Sequence, residues 1–277
     1  MSNNIQQDNT IKASFWYLIS NFILKGLGFI TIPIFARLLT QEEFGYYNNF
    51  VAWLGLLTIV VTLSLHSSLV RARFDFKDDL ESYVTSNLLL GSLCTFLFFA
   101  IFHITRDFWV DIFAMEYKYL AFIFLILLVM PAYNMFQQIQ RFQYKYKLVV
   151  AITISVSVGS ILLSFLLMAI MGNKLDGRIL GAQFPFVIVS VFVYGYFFIK
   201  GHHIKWSYCR FALVMCIPYV IHLLASNVLS SVDRIMITNM CGPTSTALYG
   251  MAYNIAMIVN VLFVAPTSIS LGVGSRL

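Results

Sequence analysis

The sequence predicts an all-α protein that crosses a lipid bilayer about eight times, and two observations support this class. Hydrophobic residues make up 60% of the 277-residue chain and charged residues only 11%, whereas a soluble domain has roughly 25% charged residues. The mean hydropathy is +0.81, and the apolar residues fall in stretches of about 20, the length of helix that crosses the hydrocarbon core. Backbone amides cannot bond to water there, so each stretch must be helical.

The predicted spans follow one another with short connections. In order, they are Ile11–Leu39, Phe44–Val70, Val84–Thr105, Tyr117–Gln138, Leu148–Met171, Ile179–Ile199, Leu213–Thr238 and Ala247–Gly272. The longest connection, Arg71–Tyr83, carries charges of both signs and is interpreted as a solvated turn. Five of the six prolines fall inside spans, where each removes one helical hydrogen bond and favours a kink.

The distribution of basic residues predicts a cytoplasmic N-terminus. Cytoplasmic loops are enriched in Lys and Arg, and with the N-terminus inside, ten basic residues lie on the cytoplasmic side and five on the other. The ten are Lys12, Arg71, Arg73, Lys77, Arg141, Lys145, Lys147, Lys200, Lys205 and Arg210, and the five are Arg37, Arg106, Lys118, Lys174 and Arg178. The net charge of +6 is therefore interpreted as a topology signal and not as a nucleic-acid interface.

The sequence contains no residue pattern typical of a metal or cofactor site. The four cysteines show no C-x-x-C spacing, and the five histidines show no spacing typical of metal ligands. We interpret the cysteines as small residues that pack within the helix bundle, and we expect no metal and no cofactor.

A polar face on the first span carries the most informative charge. Ser14, Asn21, Lys25 and Gly28 are spaced seven, four and three residues apart, which places them on one side of a helix. A charge at bilayer depth costs at least about 2.5–3.5 kcal/mol, so it usually faces a bundle interior or a wet cavity. Lys25 is therefore either a cavity cation for an anionic ligand or a structural group held by a carbonyl or carboxylate.

The seventh span carries two neighbouring polar rows. One row is His222, Ser226, Ser230 and Asp233, and the other is Asn227, Ser231, Arg234 and Thr238. Asp233 and Arg234 are adjacent in sequence, so their side chains point about 100° apart and each needs a partner on another helix. Because both lie near the end of the span, snorkelling to the interface is the alternative reading.

Two sequence blocks resemble a known family. The first is Ser14–Asn48, within which ARLLTQEEFGYY (Ala36–Tyr47) is the most specific part. The second consists of SSVDRIMIT (Ser230–Thr238) followed by ALYGMAYNIA (Ala247–Ala256). Both resemble polysaccharide flippases of the multidrug/oligosaccharidyl-lipid/polysaccharide exporter superfamily, in the expected order along the chain.

The resemblance implies two helical bundles around a central cavity. Residues 1–212 would form a complete six-helix transmembrane lobe, and residues 213–277 would form the first two helices of a second lobe. Family members continue with further helices, so the resemblance implies a C-terminally truncated chain. The implied function is flipping of isoprenoid-pyrophosphate-linked oligosaccharide units across the bacterial inner membrane, for O-antigen or capsule synthesis.

The implied partners are the lipid-linked oligosaccharide, membrane lipids, and the glycan polymerase and chain-length regulator of the same pathway, without nucleic acid. An anionic pyrophosphate gives intramembrane cations a physical purpose, because a desolvated charge pair is strong. The candidates are Lys25, Arg234 and, nearer a helix end, Arg37. Asp233 would pair with a cation or carry a coupling proton. Asn21, His222, Ser226 and Ser230 are the candidates for lining the cavity.

Three other functions stay open at this stage. A drug or cation exporter of the same superfamily would favour acidic cavity residues, whereas the intramembrane charges here are mostly basic. A membrane enzyme of glycan assembly would carry a large outer loop if it were a polymerase, or a His-centred polar cluster if it were an acyltransferase. The third alternative is a structural or regulatory membrane protein, or an inactive truncated remnant.

Overall fold

Helices account for every regular element that the computed structural model describes. The described residues are 30–143, 145–201, 203–254 and 256, with 16, 20, 23, 24 and 26–28, and the side chains of 229 and 230 are outside the description. The helices are α1 (residues 30–38), α2 (Gln41–Val61), α3 (Leu69–Asp75), α4 (Leu80–Ile104), α5 (Arg106–Phe113), α6 (Tyr117–Phe142), α7 (Tyr146–Ile170), α8 (Lys174–Lys200), α9 (Trp206–Cys241) and α10 (residues 243–254).

Six stretches in the described part of the chain are long and apolar enough to cross a membrane. They are Gln41–Val61, Lys77–Ile104, Tyr117–Phe142, Tyr146–Ile170, Lys174–Lys200 and Trp206–Val228. These six coincide with the second to seventh predicted spans, and they confirm that part of the prediction. The first and eighth predicted spans lie largely outside the described residues, so the total of eight stays a prediction.

Helices α2 and α6 form the centre of the bundle. Within their apolar windows, 56% and 61% of the residues are buried, compared with 17–22% in α7, α8 and the span of α9. Helix α6 packs against α4 and α8, while α9 packs along α2 and α4. The predicted boundary between lobes, at residues 212 and 213, falls inside the continuous helix α9. The division into two lobes stays a prediction.

The second predicted span is too long at its C-terminal end. Its helix stops at Val61, and Leu63 and Ser64 take left-handed backbone angles (φ 50° and 45°) that non-glycine residues rarely adopt. The chain then turns through a 3-10 segment, Leu65–Ser68, into α3. The connection Arg71–Tyr83, predicted as a solvated turn, is therefore partly helical, and its residues Ala72 and Tyr83 are buried in the bundle.

Other helix ends also differ from the predicted boundaries. Helix α8 begins at Lys174 and not at Ile179, since the Asn173 side chain accepts hydrogen bonds from the Leu175 and Asp176 amides. Helix α9 begins at Trp206, seven residues before the predicted start at Leu213. The connection after the third span contains the short helix α5, whose buried Phe113 packs against Trp53.

The bundle has two chemically different ends. At the end that we call the basic end, Lys205 bonds to Asp79 at 2.7 Å and Lys200 pairs with Glu81 at 3.4 Å. The hydrogen bond that the Lys205 ammonium group donates to Asp79 raises the pKa of Lys205, which keeps it charged at neutral pH. At the opposite end, the Lys174 ammonium donates to the Leu38 carbonyl at 3.2 Å. The connections predicted to be cytoplasmic therefore gather at one end.

A hydrogen bond between two buried hydroxyl groups, close to the basic end, can be tested by mutation. The Tyr83 hydroxyl donates to Ser68 Oγ at 2.6 Å, and both side chains are almost fully buried. Tyr83→Phe should lower the free energy of unfolding by about 1 kcal/mol, because one buried hydrogen bond is lost while the ring remains. Thermal unfolding in detergent measures the change. Tyr196→Phe, at an exposed ring, is the control, and an equal effect there would contradict the assignment.

Candidate functional site

The structure describes some of the predicted site residues and not others. Lys25 and Asn21 lie outside the described residues, so their proposed roles stay predictions. Arg37 is exposed on α1, near the opposite end of the bundle. Its proposed role in binding the substrate stays a prediction.

Arg234 and Asp233 each find a partner on α10. The Arg234 guanidinium lies 4.5 Å from the centre of the Tyr253 ring, and its Nε is buried without a hydrogen bond to any described residue. The Tyr249 hydroxyl donates to Asp233 Oδ2 at 2.6 Å. The two neighbouring charges therefore point to different aromatic side chains of the same helix.

Of the two polar rows on α9, the second packs more closely into the described bundle. His222 and Ser226 are exposed, as is Asp233, and the side chain of Ser230 lies outside the described part. In the second row, the buried Thr238 hydroxyl lies 2.8 Å from the Thr246 hydroxyl of α10. The cavity-lining roles of His222, Ser226 and Ser230 stay predictions.

Arg178 is a further candidate site residue, which the sequence analysis placed in a connection and did not select. It belongs to α8, where its guanidinium lies 3.6 Å from the centre of the Phe35 ring and 4.6 Å from that of Tyr47. One of its terminal nitrogens donates to Ser164 Oγ at 2.9 Å, while Nε is buried without a partner among the described residues. Four helices, α1, α2, α7 and α8, thus enclose one cation.

The sequence contained a signal that would have found Arg178. Asn173 is a strong helix N-cap residue, and Asp176 in the first turn suits the positive end of the helix dipole. This pair starts the helix five residues before the predicted span and carries Arg178 into the bundle. Hydropathy alone missed the residue because a charged first turn lowers the local average.

Arg178 and Arg234 lie at similar depths, and together we call them the arginine layer. Arg178 lies about 6 Å along α8 from its start, and Arg234 about 10 Å from the end of α9, at 1.5 Å per residue. Both positions are near the same end of the bundle, because α8 begins there and α9 ends there. Helix α2 contributes Tyr47 to the enclosure of Arg178.

The adjacent residue of α2, Asn48, extends this polar layer toward α10. Asn48 is buried, and its Nδ2 makes no hydrogen bond to the described residues. Gly250 of α10 lies against it so closely that a Cβ there would come within 2.7 Å of Nδ2. Polar atoms without a hydrogen-bond partner among the described residues thus occur at Arg178, Asn48 and Arg234, at comparable depth in the bundle.

One pocket beyond the arginine layer has an acidic lining. A pocket of about 790 Å³ opens at the opposite end, and its lining includes the carboxylates Glu42, Glu43, Asp111 and Glu116 but no Lys or Arg. In the described part of the chain, no three His, Cys, Asp or Glu side chains converge in a way that would hold a metal ion. Glu116 pairs with Lys118 at 3.2 Å, and the other three carboxylates of the lining make the pocket unfavourable for anions.

The aromatic partner of Arg234 offers a measurable contact. Tyr253→Leu should lower the free energy of unfolding by about 1 kcal/mol, because it removes the ring face that stabilises the half-buried guanidinium. Thermal unfolding in detergent gives the change. Tyr253→Phe keeps the ring and should match the original protein, so a Phe variant as unstable as the Leu variant would rule out the cation–π contact.

The helices, their apolar surfaces and the enclosed cations define a multi-pass integral membrane protein. The chain belongs to the family of polysaccharide biosynthesis proteins, whose sequence profile matches residues 10–271. This membership confirms the family resemblance that the sequence blocks suggested. No curated protein and no solved structure gives a significant match.

Proposed function

We propose that this protein flips an isoprenoid-pyrophosphate-linked oligosaccharide across the bacterial inner membrane. The observation that carries the proposal is Arg178, a cation enclosed by four helices that pairs with no carboxylate in the described part of the chain. Burying a charge without a counter-ion is costly, so such residues in membrane proteins usually mark a ligand or ion pathway. Family membership supports a substrate from polysaccharide synthesis.

A pyrophosphate suits the chemistry of the arginine layer. The planar guanidinium presents several donors that match phosphate oxygens, and it remains charged at any physiological pH. Phe35 and Tyr47 hold Arg178, and Tyr253 holds Arg234. The two orphaned Nε–H groups leave donors available for a ligand. Lys25 and Arg37 remain further candidate cations, and Asp233 a candidate for the coupling proton.

The charge distribution supports a direction for the movement. We propose that the basic end faces the cytoplasm, as the loop charges predict, so that a polyanionic head group is attracted there by Lys and Arg. At the opposite end, the acidic pocket lined by Glu42, Glu43, Asp111 and Glu116 would repel the pyrophosphate and favour its release. The arginine layer lies between these two regions.

The same observations weigh against the other candidate functions. A drug or cation exporter would place carboxylates in the bundle, whereas the enclosed groups described here are guanidiniums. An enzyme would need a nucleophile or general base directed at a polar substrate site, whereas the Ser164 hydroxyl accepts a hydrogen bond from Arg178 and the Asp233 carboxylate accepts one from Tyr249. We therefore propose a transporter and not an enzyme.

Deletion of the gene in its host separates a flippase from a polymerase. Without a flippase, lipid-linked repeat units should accumulate on the inner leaflet, and no unit should reach the cell surface. Without a polymerase, single units would still reach the surface. Lectin labelling of intact and lysed cells distinguishes the two outcomes, and complementation with the intact gene is the control. Normal surface polysaccharide in the deletion strain would reject the proposal.

A further inference from the structure

A second polar cavity lies at the basic end, away from the arginine layer. Its volume is about 440 Å³, and it opens where the start of α4 meets the ends of α6 and α8. Three ammonium groups and three carboxylates line it: Lys77, Lys145 and Lys200, with Asp78, Asp79 and Glu81. We call this cavity the basic-end pocket. None of the residues considered so far for substrate binding belongs to it.

Internal pairing leaves the basic-end pocket with surplus positive charge. Glu81 pairs with Lys200, and Asp79 pairs with Lys205, which lies just outside the lining. Within the described residues, Lys77 and Lys145 have no such carboxylate partner, and the remaining acid is the exposed Asp78. After this pairing, the lining keeps two ammonium groups and one carboxylate, so its remaining charge is positive and favours the binding of an anion.

A buried amide indicates a second requirement of the ligand. Gln140 lines the basic-end pocket with only 9% of its surface exposed, and its Oε1 is buried without a hydrogen bond to the described residues. Leaving a buried acceptor unsatisfied costs about 1–3 kcal/mol. A ligand that carries a hydroxyl beside its anionic group would satisfy both the amide oxygen and the ammonium groups.

The position of the basic-end pocket restricts the ligand further. It lies at the ends of membrane-spanning helices, and the ring of Tyr196 contributes to its lining. Aromatic side chains and lysines at this depth contact lipid head groups. We propose that the basic-end pocket binds a phosphate-bearing lipid head group, with Lys77 and Lys145 on the phosphate and Gln140 accepting a hydroxyl. This inference does not rest on the proposed transport activity.

Lipid retention by the purified protein tests this site without any transport. The protein is placed in phosphatidylcholine nanodiscs with added phosphatidylglycerol, extracted, and examined by native mass spectrometry for tightly bound phosphatidylglycerol. Lys77→Gln/Lys145→Gln should weaken retention about tenfold, because two phosphate contacts are lost. Gln140→Leu should weaken it a few-fold by removing the hydroxyl acceptor.

A charge-matched variant is the control. Lys147→Gln/Arg210→Gln removes two exposed charges from the same end, outside the basic-end pocket, and should retain the lipid like the original protein. Equal losses in both double variants would overturn the proposal in favour of a diffuse basic surface. The proposal would also be overturned if the original protein neither retained phosphatidylglycerol nor bound the saccharide probe described next.

A competing ligand identifies the source of the head group. The probe is a short-chain isoprenyl pyrophosphate that carries one N-acetylhexosamine. If it displaces phosphatidylglycerol from the original protein but does not bind the Lys77→Gln/Lys145→Gln variant, the site recognises the lipid-linked saccharide. If phosphatidylglycerol stays bound in its presence, the site belongs to bulk anionic lipid. Both results support a phosphate site, and both are independent of whether flipping occurs.

Discussion

Arg178→Met should abolish export of the lipid-linked saccharide while the protein remains folded in the membrane. Removing a buried, hydrogen-bonded charge from a binding site costs about 2–5 kcal/mol of interaction with its ligand, which corresponds to about a thirtyfold or greater loss of transport. Methionine fills much of the space between Phe35 and Tyr47, and the burial cost of the guanidinium disappears with it. Surface polysaccharide and thermal unfolding measure the two effects separately.

Three companion variants show whether the charge or the packing of Arg178 matters. Arg178→Lys keeps the charge and should recover part of the export, although its ammonium lacks the planar fork. Ser164→Ala removes the hydrogen bond to Arg178 and should leave most of the export intact. Arg106→Met, at an exposed cation of the same end, should have no effect. Normal export by a stable Arg178→Met protein would show that the cation is structural.

Gly181→Leu should prevent stable assembly of α7 with α8. A Cβ at Gly181 would overlap the Ser164 Cα, and one at Gly177 would lie 2.7 Å from the Met168 backbone nitrogen. The two helices approach this closely because Gly177 and Gly181, four residues apart on one face of α8, have no side chain to separate the backbones. This arrangement is typical of small-x-x-x-small packing between membrane helices. Forcing a larger side chain into the contact typically costs about 1–3 kcal/mol, and backbone obstruction places this site at the upper end.

The measurement for Gly181→Leu is the yield and unfolding midpoint of the detergent-purified protein. We expect a fall in midpoint of about 10 °C, or no recoverable folded protein. Gly195→Leu is a matched control on the same helix, because nothing lies within 4 Å of its would-be Cβ, and it should behave like the original. Equal losses in the two variants would point to backbone flexibility and not to the α7–α8 contact.

The spans were predictable because bilayer crossing requires a run of apolar residues that hydropathy detects. The second to seventh spans were found in this way. Their ends were less accurate, because helix ends depend on local caps and on packing. Asn173 caps α8 at an earlier residue than hydropathy suggested. Helix α2 ends at Val61, before the predicted boundary, and the next residues include Leu63 and Ser64 with left-handed backbone angles.

The candidate site was predictable only in part. Arg234 stood out because a charge inside an apolar run is visible in the sequence, and its separation from Asp233 followed from helical geometry. The partners Tyr249 and Tyr253 belong to another helix, so no spacing rule names them. Arg178 was missed because a basic residue near the start of an apolar run resembles an ordinary loop charge.

The sequence by itself determined the class of protein, the second to seventh spans, the clustering of basic connections and the family. Each of these follows from local composition or from a motif that needs no knowledge of contacts. The tertiary structure alone decided that Phe35, Tyr47 and Ser164 enclose Arg178, and that Gly181 lets α7 and α8 touch. These contacts join residues up to about 140 positions apart, and only the packing of helices determines which side chains meet at such separations.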